Sequence, residues 1–277
     1  MKDIVVLYHA ECPDGFGAAW AAYNNFGNNA DYIGVHHNHP APEGLENKDV
    51  YLVDFVYPKE IMEELISRNK RVTAIDHHVS GEEAVKLTKD YSYSVDHSGS
   101  VLAWMYFNDK SVPKLLYYIE DRDLFQFKLL NSNSICVFID SFDQDFEVWN
   151  KLAQDIEDEN KRDEVVVKGD IILKYEEELI KQLVKENAKL VEFEGFQVYV
   201  VNAPHEFASQ IGKVLYQIKP PVAIIWSEDK ERVNISLRSD KSVDVSEIAV
   251  KFGGGGHKGA AGFNLPALGK FPWKEVK

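Results

Sequence analysis

Asp76, His77 and His78 stand in a row directly after the apolar run Val72-Thr73-Ala74-Ile75. Carboxylates and imidazoles without a thiolate pair suit Mn2+, Mg2+, Fe2+ or Zn2+, and the chain offers more of both at comparable places. His9 and Asp14 follow the run Ile4 to Tyr8, Asp54 follows Val50 to Val53, and Asp121 follows the pattern Val112 to Glu120. His9, Asp14, Asp54, His77 and Asp121 are therefore candidate metal ligands. A carboxylate such as Asp54 can bridge two ions about 3.5–4 Å apart, and such a pair can clamp a phosphodiester and lower the pKa of a bridging water. Single members have plainer readings: Asp54 as a turn residue after a strand, Asp121 as the partner of Arg122 or part of a solvated helix end. Two adjacent histidines at a strand end are harder to assign to a core, and the set recurs at successive strand ends.

The elements that must position these residues alternate. Ile4 to Tyr8, Tyr32 to Val35, Val50 to Val53 and Val72 to Ile75 read as strands. Gly15 to Phe26, Pro58 to Arg68, Ser98 to Phe107 and Val112 to Glu120 read as helices, with Pro58 in a first turn. Alternation of this kind implies a mostly parallel sheet covered on both faces, and sites in such sheets form beyond the carboxyl ends of the strands. Three strand ends bearing polar residues would then project to one edge. The region from Ser141 to Lys189 is charged and helical in pattern. Strands resume at Gln197 to Val201, Val222 to Trp226 and Val233 to Leu237, and a helix from Val245 to Phe252 runs into Gly253-Gly254-Gly255-Gly256-His257. The expected organisation is α/β in two domains: a parallel-sheet domain over 1–165, a helical linker over 166–190 and a smaller α/β domain over 191–277.

Composition bounds the function. With 277 residues, 45% hydrophobic and 27% charged, the chain can bury two cores. A formal net charge of -14 argues against a dedicated binder of long nucleic acid, but not against a small anionic substrate, because bound cations reverse the local field. Cys12 and Cys136 are too few for a disulfide framework. The N-terminus lacks the pattern of a signal peptide, and no apolar segment approaches a membrane span. A soluble, reducing compartment is expected, most simply the cytoplasm. A homodimer is compatible with the sequence, which carries no signature for one.

With these residues in view, the chain resembles the DHH/DHHA1 phosphoesterase family, which includes RecJ-type exonucleases, nano-RNases and cyclic-dinucleotide phosphodiesterases. His9-Ala10-Glu11-Cys12-Pro13-Asp14-Gly15 is similar to its first motif, Leu52-Val53-Asp54 to its second and Asp76-His77-His78 to the third. Ile119-Glu120-Asp121-Arg122-Asp123-Leu124-Phe125 is similar to the fourth, and Gly254-Gly255-Gly256-His257 with Gly259 to Phe263 to the signature of the C-terminal substrate domain. The resemblance implies an N-terminal DHH domain and a C-terminal DHHA1 domain. It implies His9, Asp14, Asp54, His77 and Asp121 as ligands of a divalent metal, with Mn2+ the leading ion and Asp54 bridging. Asp76 would orient a ligand, and His78 would face the scissile phosphate as a donor. Gly254, Gly255 and Gly256 would bring backbone N–H groups close to an anion, and His257 with Arg238 would hold a terminal phosphate or base.

The implied reaction is metal-dependent hydrolysis of 3'-5' phosphodiester bonds in linear dinucleotides or short oligoribonucleotides. Cyclic dinucleotides and nucleotide bisphosphates are alternative substrates, and a catalytically weak nucleotide-binding protein is the alternative of another class. One departure matters. The family pattern carries a second Asp two positions beyond the first, where this chain has Phe16. That leaves open a weaker second metal site, a replacement ligand such as Glu11 or Cys12, or a one-metal centre. His36-His37-Asn38-His39, before Pro40-Ala41-Pro42, reads as an exposed loop, with a peripheral substrate contact as the alternative. Asp96-His97-Ser98-Gly99 reads as a helix start, and the resemblance brings His97 near the active edge.

Overall fold

The computed structural model describes residues 1–36, 39–228, 230, 232–267 and 269–276. The chain divides into two compact units, Met1–Leu173 and Lys174–Lys277. His37 and Asn38, within the histidine-rich segment, lie outside the described residues.

In the first unit β1 (Ile4–His9), α1 (Pro13–Phe26), β2 (Ala30–Val35), β3 (Asp49–Val53), α2 (Lys59–Arg68), β4 (Arg71–Asp76), α3 (Glu82–Val85) and β5 (Asp90–Tyr93) follow in order. The five strands form one sheet in the order β2-β1-β3-β4-β5, parallel at every pairing. The strands read as continuous apolar runs because both faces are covered. Successive side chains point to opposite faces, so Val5 and Leu7 join one core with Val50, Leu52 and Ala74, whereas Val6, Val53 and Ile75 join the other. That second core is completed by α1, α4 (Gly99–Phe107), α5 (Lys114–Asp123), α6 (Ser132–Asp140) and α7 (Phe146–Glu157).

Two element ends differ from the sequence reading. β4 extends to Asp76, so the first member of the histidine triplet is a strand residue. α5 runs past Glu120 to Asp123, which puts both Asp121 and Asp123 in its last turn. The charged region is two helices, α7 and α8 (Glu159–Asn187), separated at Asp158, whose backbone is extended. Asp145 starts α7 by accepting from the N–H groups of Glu147 and Val148.

The second unit contains β6 (Lys189–Phe193), β7 (Phe196–Asn202), α9 (Ala208–Ile218), β8 (Val222–Glu228), β9 (Arg232–Ser239), α10 (Val245–Lys251), β10 (Gly255–His257), β11 (Ala260–Pro266) and β12 (Lys274–Glu275). Its strands form a seven-stranded sheet in the order β10-β11-β9-β8-β7-β6-β12. Only β7 and β8 pair in parallel; the other pairings are antiparallel. The glycine segment after α10 is in its later part the edge strand β10.

Candidate metal centre

The sheet register builds the centre. Tyr8 of β1 pairs with Val53 of β3, and Val53 pairs with Ile75 of β4. The next residue of each strand is His9, Asp54 and Asp76, so three polar side chains emerge side by side at the carboxyl edge. Asp54 turns out of β3 with φ 62°, a left-handed conformation that Asp tolerates better than most residues, while its N–H donates to the Ile75 carbonyl at 2.9 Å. The start of α4 lies directly against it. A Cβ on Gly99 would stand 2.7 Å from Asp54 Cβ, so this approach requires glycine.

Around Asp54 the donor atoms converge. His9 Nδ1 is 3.4 Å from Asp54 Oδ2. His77 Nε2 is 3.3 Å from Asp54 Oδ1, 3.5 Å from Asp123 Oδ2 and 3.8 Å from Asp14 Oδ2. Asp14 and Asp54 are each about 1% exposed at the side chain. Asp14 accepts from the N–H of Gly99 at 2.6 Å and of Ser100 at 3.1 Å, the N-terminal donors of α4, which favour an anion there. Neither Asp54 oxygen, nor His77 Nε2, has a partner at hydrogen-bond geometry among the described residues. Buried polar atoms are almost always satisfied, so oxygens and a ring nitrogen that face one another without bonding form a set that could hold a cation. Three ligand groupings follow among the described residues, Asp54–Asp76–His77–His78, His9–Cys12–Asp54 and Asp14–His77–Asp123, each with its donor atoms within 4.8 Å of one another.

Electrostatics point the same way. Burial, then the charges of Asp54 and Asp123, push the Asp14 carboxyl well above its ordinary range. Asp123 is raised by burial and then by Asp54. For Asp54 burial also acts upward, but the rings of His77 and His9 outweigh it and hold the carboxyl below the usual range. Burial would lower His77, yet Asp54, Asp123 and Asp14 push it up to about 9. Two buried carboxylates and a more exposed third, Asp123, cannot all ionise cheaply side by side without positive charge between them, which a divalent cation would supply.

Asp76 is the support for its neighbours. Its Oδ1 accepts from the N–H of His77 at 2.8 Å and lies 2.8 Å from His78 Nδ1. This fixes the His78 ring and, through the hydrogen bond to Asp76 first, raises the His78 pKa. His78 is more exposed than His77, at 38% against 10% of the side chain. His97 stands 3.1 Å from Glu120 Oε2, which also accepts from the Ser98 N–H.

One candidate ligand is not brought to the cluster. Asp121 is not at the centre: its carboxylate accepts from the N–H groups of Lys128 and Leu129, and its carbonyl accepts from Gln126 and Phe127. Asp123 takes the place expected for it. Residues two apart on a helix lie about 200° apart round its axis, so only one of the pair can face His77. The Asp-Arg-Asp spacing contained that choice, but not its answer. Asp121 instead pins a loop that presents Phe125 and Phe127, 71% and 39% exposed, with ring centroids 4.8 Å apart. Phe16, also two residues beyond an Asp on a helix, points away from the centre. It is 2% exposed and packs against Phe146, Trp149 and Tyr8.

In the second unit the candidate binding residues share one row. His257 pairs with Ala260, and Ala260 pairs with Arg238. Residues in register on neighbouring strands point to the same face, so His257 and Arg238 flank the small Ala260, about 9–10 Å apart by strand spacing. Arg238 Nε donates to Ser209 Oγ at 3.3 Å, and its stem lies over Gly212 of α9. Burial lowers its pKa. Ser236, two residues back and therefore on the same face, lies 3.3 Å from His205 Nδ1. Nothing in the sequence neighbourhood of His205 ties it to β9; only the fold brings it there. The glycines are not equivalent either. The Gly254 N–H donates to the Ala249 carbonyl in closing α10 and is not available to an anion, whereas Gly255, Gly256 and His257 are exposed on an edge strand.

A parallel α/β unit with a buried carboxylate–imidazole centre at its carboxyl edge, followed by a separate mixed-sheet unit, defines the class of protein. Residues 197–273 match the DHHA1 domain. The chain is 29% identical to an uncharacterized protein of Acanthamoeba polyphaga mimivirus over 98% of this chain and 70% of that one. Among solved structures it is similar to the DHH domain of a member of the s1p family of ribosomal proteins (TM-score 0.59, 13% identity, 96% and 83% of the two chains covered). It is also similar to an exopolyphosphatase-related protein from Bacteroides fragilis (0.53, 15%, 98% and 88%) and to the pGpG-specific phosphodiesterase of Vibrio cholerae (0.51, 15%, 96% and 94%). Residues 197–273 are thus a DHHA1 domain, and the chain as a whole shares its fold with these DHH-type structures. No helix among its described residues is long and apolar enough to cross a membrane.

Proposed function

We propose that this protein hydrolyses the 3'-5' phosphodiester bond of short nucleotide substrates, linear dinucleotides or oligoribonucleotides of a few units, with Mn2+ as a divalent cofactor. The observation that carries the reading is the buried Asp54 carboxylate, unbonded and ringed by His9, His77, Asp14 and Asp123. A divalent cation held by these residues would supply Lewis-acid polarisation of a phosphoryl oxygen and a water that ionises near neutral pH.

The remaining work falls to the chain's own groups. Asp76 holds His78 by Nδ1, which directs Nε2 to donate a proton to the departing oxygen. The α4 N-terminus keeps Asp14 in place. Phe125 and Phe127, two and four residues beyond Asp123, offer aromatic faces of the kind on which bases stack. Exposed His257 and half-buried Arg238 are the groups of the second unit suited to a substrate phosphate. A net charge of -14 disfavours long single strands, which need an extended basic groove, and so favours small substrates. The same fold serves a pGpG-specific phosphodiesterase.

The test is a side-by-side Mn2+ assay of a linear dinucleotide, its cyclic form and a 3'-phosphoadenosine-5'-phosphate-type bisphosphate. Fastest turnover of the linear dinucleotide supports the reading. Preference for either of the others reassigns the substrate, and tight binding of all three without product in any would make the chain a nucleotide-binding protein.

A further inference from the structure

The centre has two chemically unequal halves. Asp14, His77 and Asp123 offer two carboxylates and one imidazole, a set suited to the hard ions Mn2+ and Mg2+. The other grouping, His9, Cys12 and Asp54, contains a thiol, with Sγ, a ring nitrogen and a carboxylate oxygen all within 4.8 Å. Donors on a tetrahedral ion such as Zn2+ lie about 3.3–3.8 Å from one another, given bonds of about 2.0–2.3 Å, and His9 Nδ1 already stands 3.4 Å from Asp54 Oδ2.

Cys12 is placed there by the fold. It is the residue before α1, with extended backbone (φ -115°, ψ 127°), and its carbonyl accepts from the Phe16 N–H at 2.9 Å. Pro13 follows in the first turn of the helix. The short link from His9 through Cys12 to α1 therefore holds the thiol beside the β1 and β3 ends. The second, independent observation is Asp54, about 1% exposed and with both oxygens unbonded. The other cysteine has a different situation: Cys136 is buried on α6 and its Sγ donates to the Tyr118 carbonyl at 3.2 Å.

We propose that Cys12 is a metal ligand, so that the centre is heterometallic: a thiolate-bearing half of His9, Cys12 and Asp54 that takes Zn2+ or Fe2+, and a hard half of Asp14, His77 and Asp123 that takes Mn2+ or Mg2+. The thiolate supplies the anionic ligand that Phe16 does not, and Asp54 faces both halves. This rests on the metal-centre reading above and adds to it the identity of a ligand and the softness of one site.

Cobalt distinguishes the two ideas, because thiolate-bound Co2+ shows an intense near-ultraviolet charge-transfer absorption beside its weak visible bands. Protein dialysed against a chelator is titrated with Co2+ as wild type, Cys12→Ser and Cys136→Ser. The proposal expects charge-transfer and visible bands in wild type and in Cys136→Ser, and visible bands alone in Cys12→Ser. It further expects Cys12→Ser to weaken Zn2+ binding at least about tenfold, with Mn2+ binding little changed. Visible bands without charge transfer in wild type, or charge transfer that survives Cys12→Ser, would overturn the thiolate ligand and leave the metal centre standing. Failure of the wild type to take up Co2+ at all would sink both.

Discussion

The centre at the β1, β3 and β4 ends and the His257–Arg238 row in the second unit are built on opposite principles. The first gathers charged side chains away from water: Asp14 and Asp54 are buried, and the Asp54 carboxylate has no hydrogen bond among the described residues. The second spans the edge strand β10 and its neighbours β11 and β9, where register aligns exposed His257 with half-buried Arg238. A buried anionic cluster is tolerable only with a cation, so its geometry already implies the ligand. A row of this kind commits to nothing by itself and depends on the substrate to define it. Changes in the first should therefore abolish chemistry and cation-dependent stability, whereas changes in the second should alter affinity.

The largest effect is expected at Asp54. Asp54→Asn should cost more than the about 10–100-fold typical of a supporting residue and should also remove thermal stabilisation by Mn2+. In wild type that stabilisation should reach about 2.7 kcal/mol at a Mn2+ concentration one hundred times Kd. A melting curve that responds to Mn2+ equally in both proteins would break the assignment. Next is the pair Asp123 and Asp121. Asp123→Asn should weaken metal binding, measured by titration calorimetry, with little change in stability. Asp121→Asn should do the reverse, costing about 1–3 kcal/mol as the loop N–H groups lose an acceptor. If the two exchange roles, the reading of the α5 end is wrong. Asp76→Asn should lower kcat about 10–100-fold by releasing the His78 ring, while metal content is retained. The smallest change is expected in the second unit: His257→Ala should raise KM about tenfold, near 1.4 kcal/mol, and leave kcat nearly intact. A fall in kcat alone would mean that the two regions do not divide the work in this way.

Some of this was legible in the chain itself. Continuous apolar strands and amphipathic helices announced a covered parallel sheet, and polar residues immediately after Tyr8, Val53 and Ile75 announced its reactive edge, because a strand end is a local feature. The choice between Asp121 and Asp123 was not legible. It depended on where α5 stopped, and helix ends are set by tertiary partners such as the loop N–H groups that Asp121 collects. The same holds for the glycines: composition shows that backbone can come close, but only the closure of α10 shows that the Gly254 N–H is already used.

The sequence by itself determined the residue types at the centre, and through the apolar period the sheet that carries them. Tertiary structure decided which atoms meet. His9, Cys12 and Asp54 converge because parallel register brings the β1 and β3 ends level, and Asp14 and Gly99, 85 positions apart, meet because α4 packs its N-terminus against the same edge. Local chemistry is written residue by residue. Proximity across the chain exists only once the core has closed, since the energy that fixes register comes from burying both faces of the sheet together.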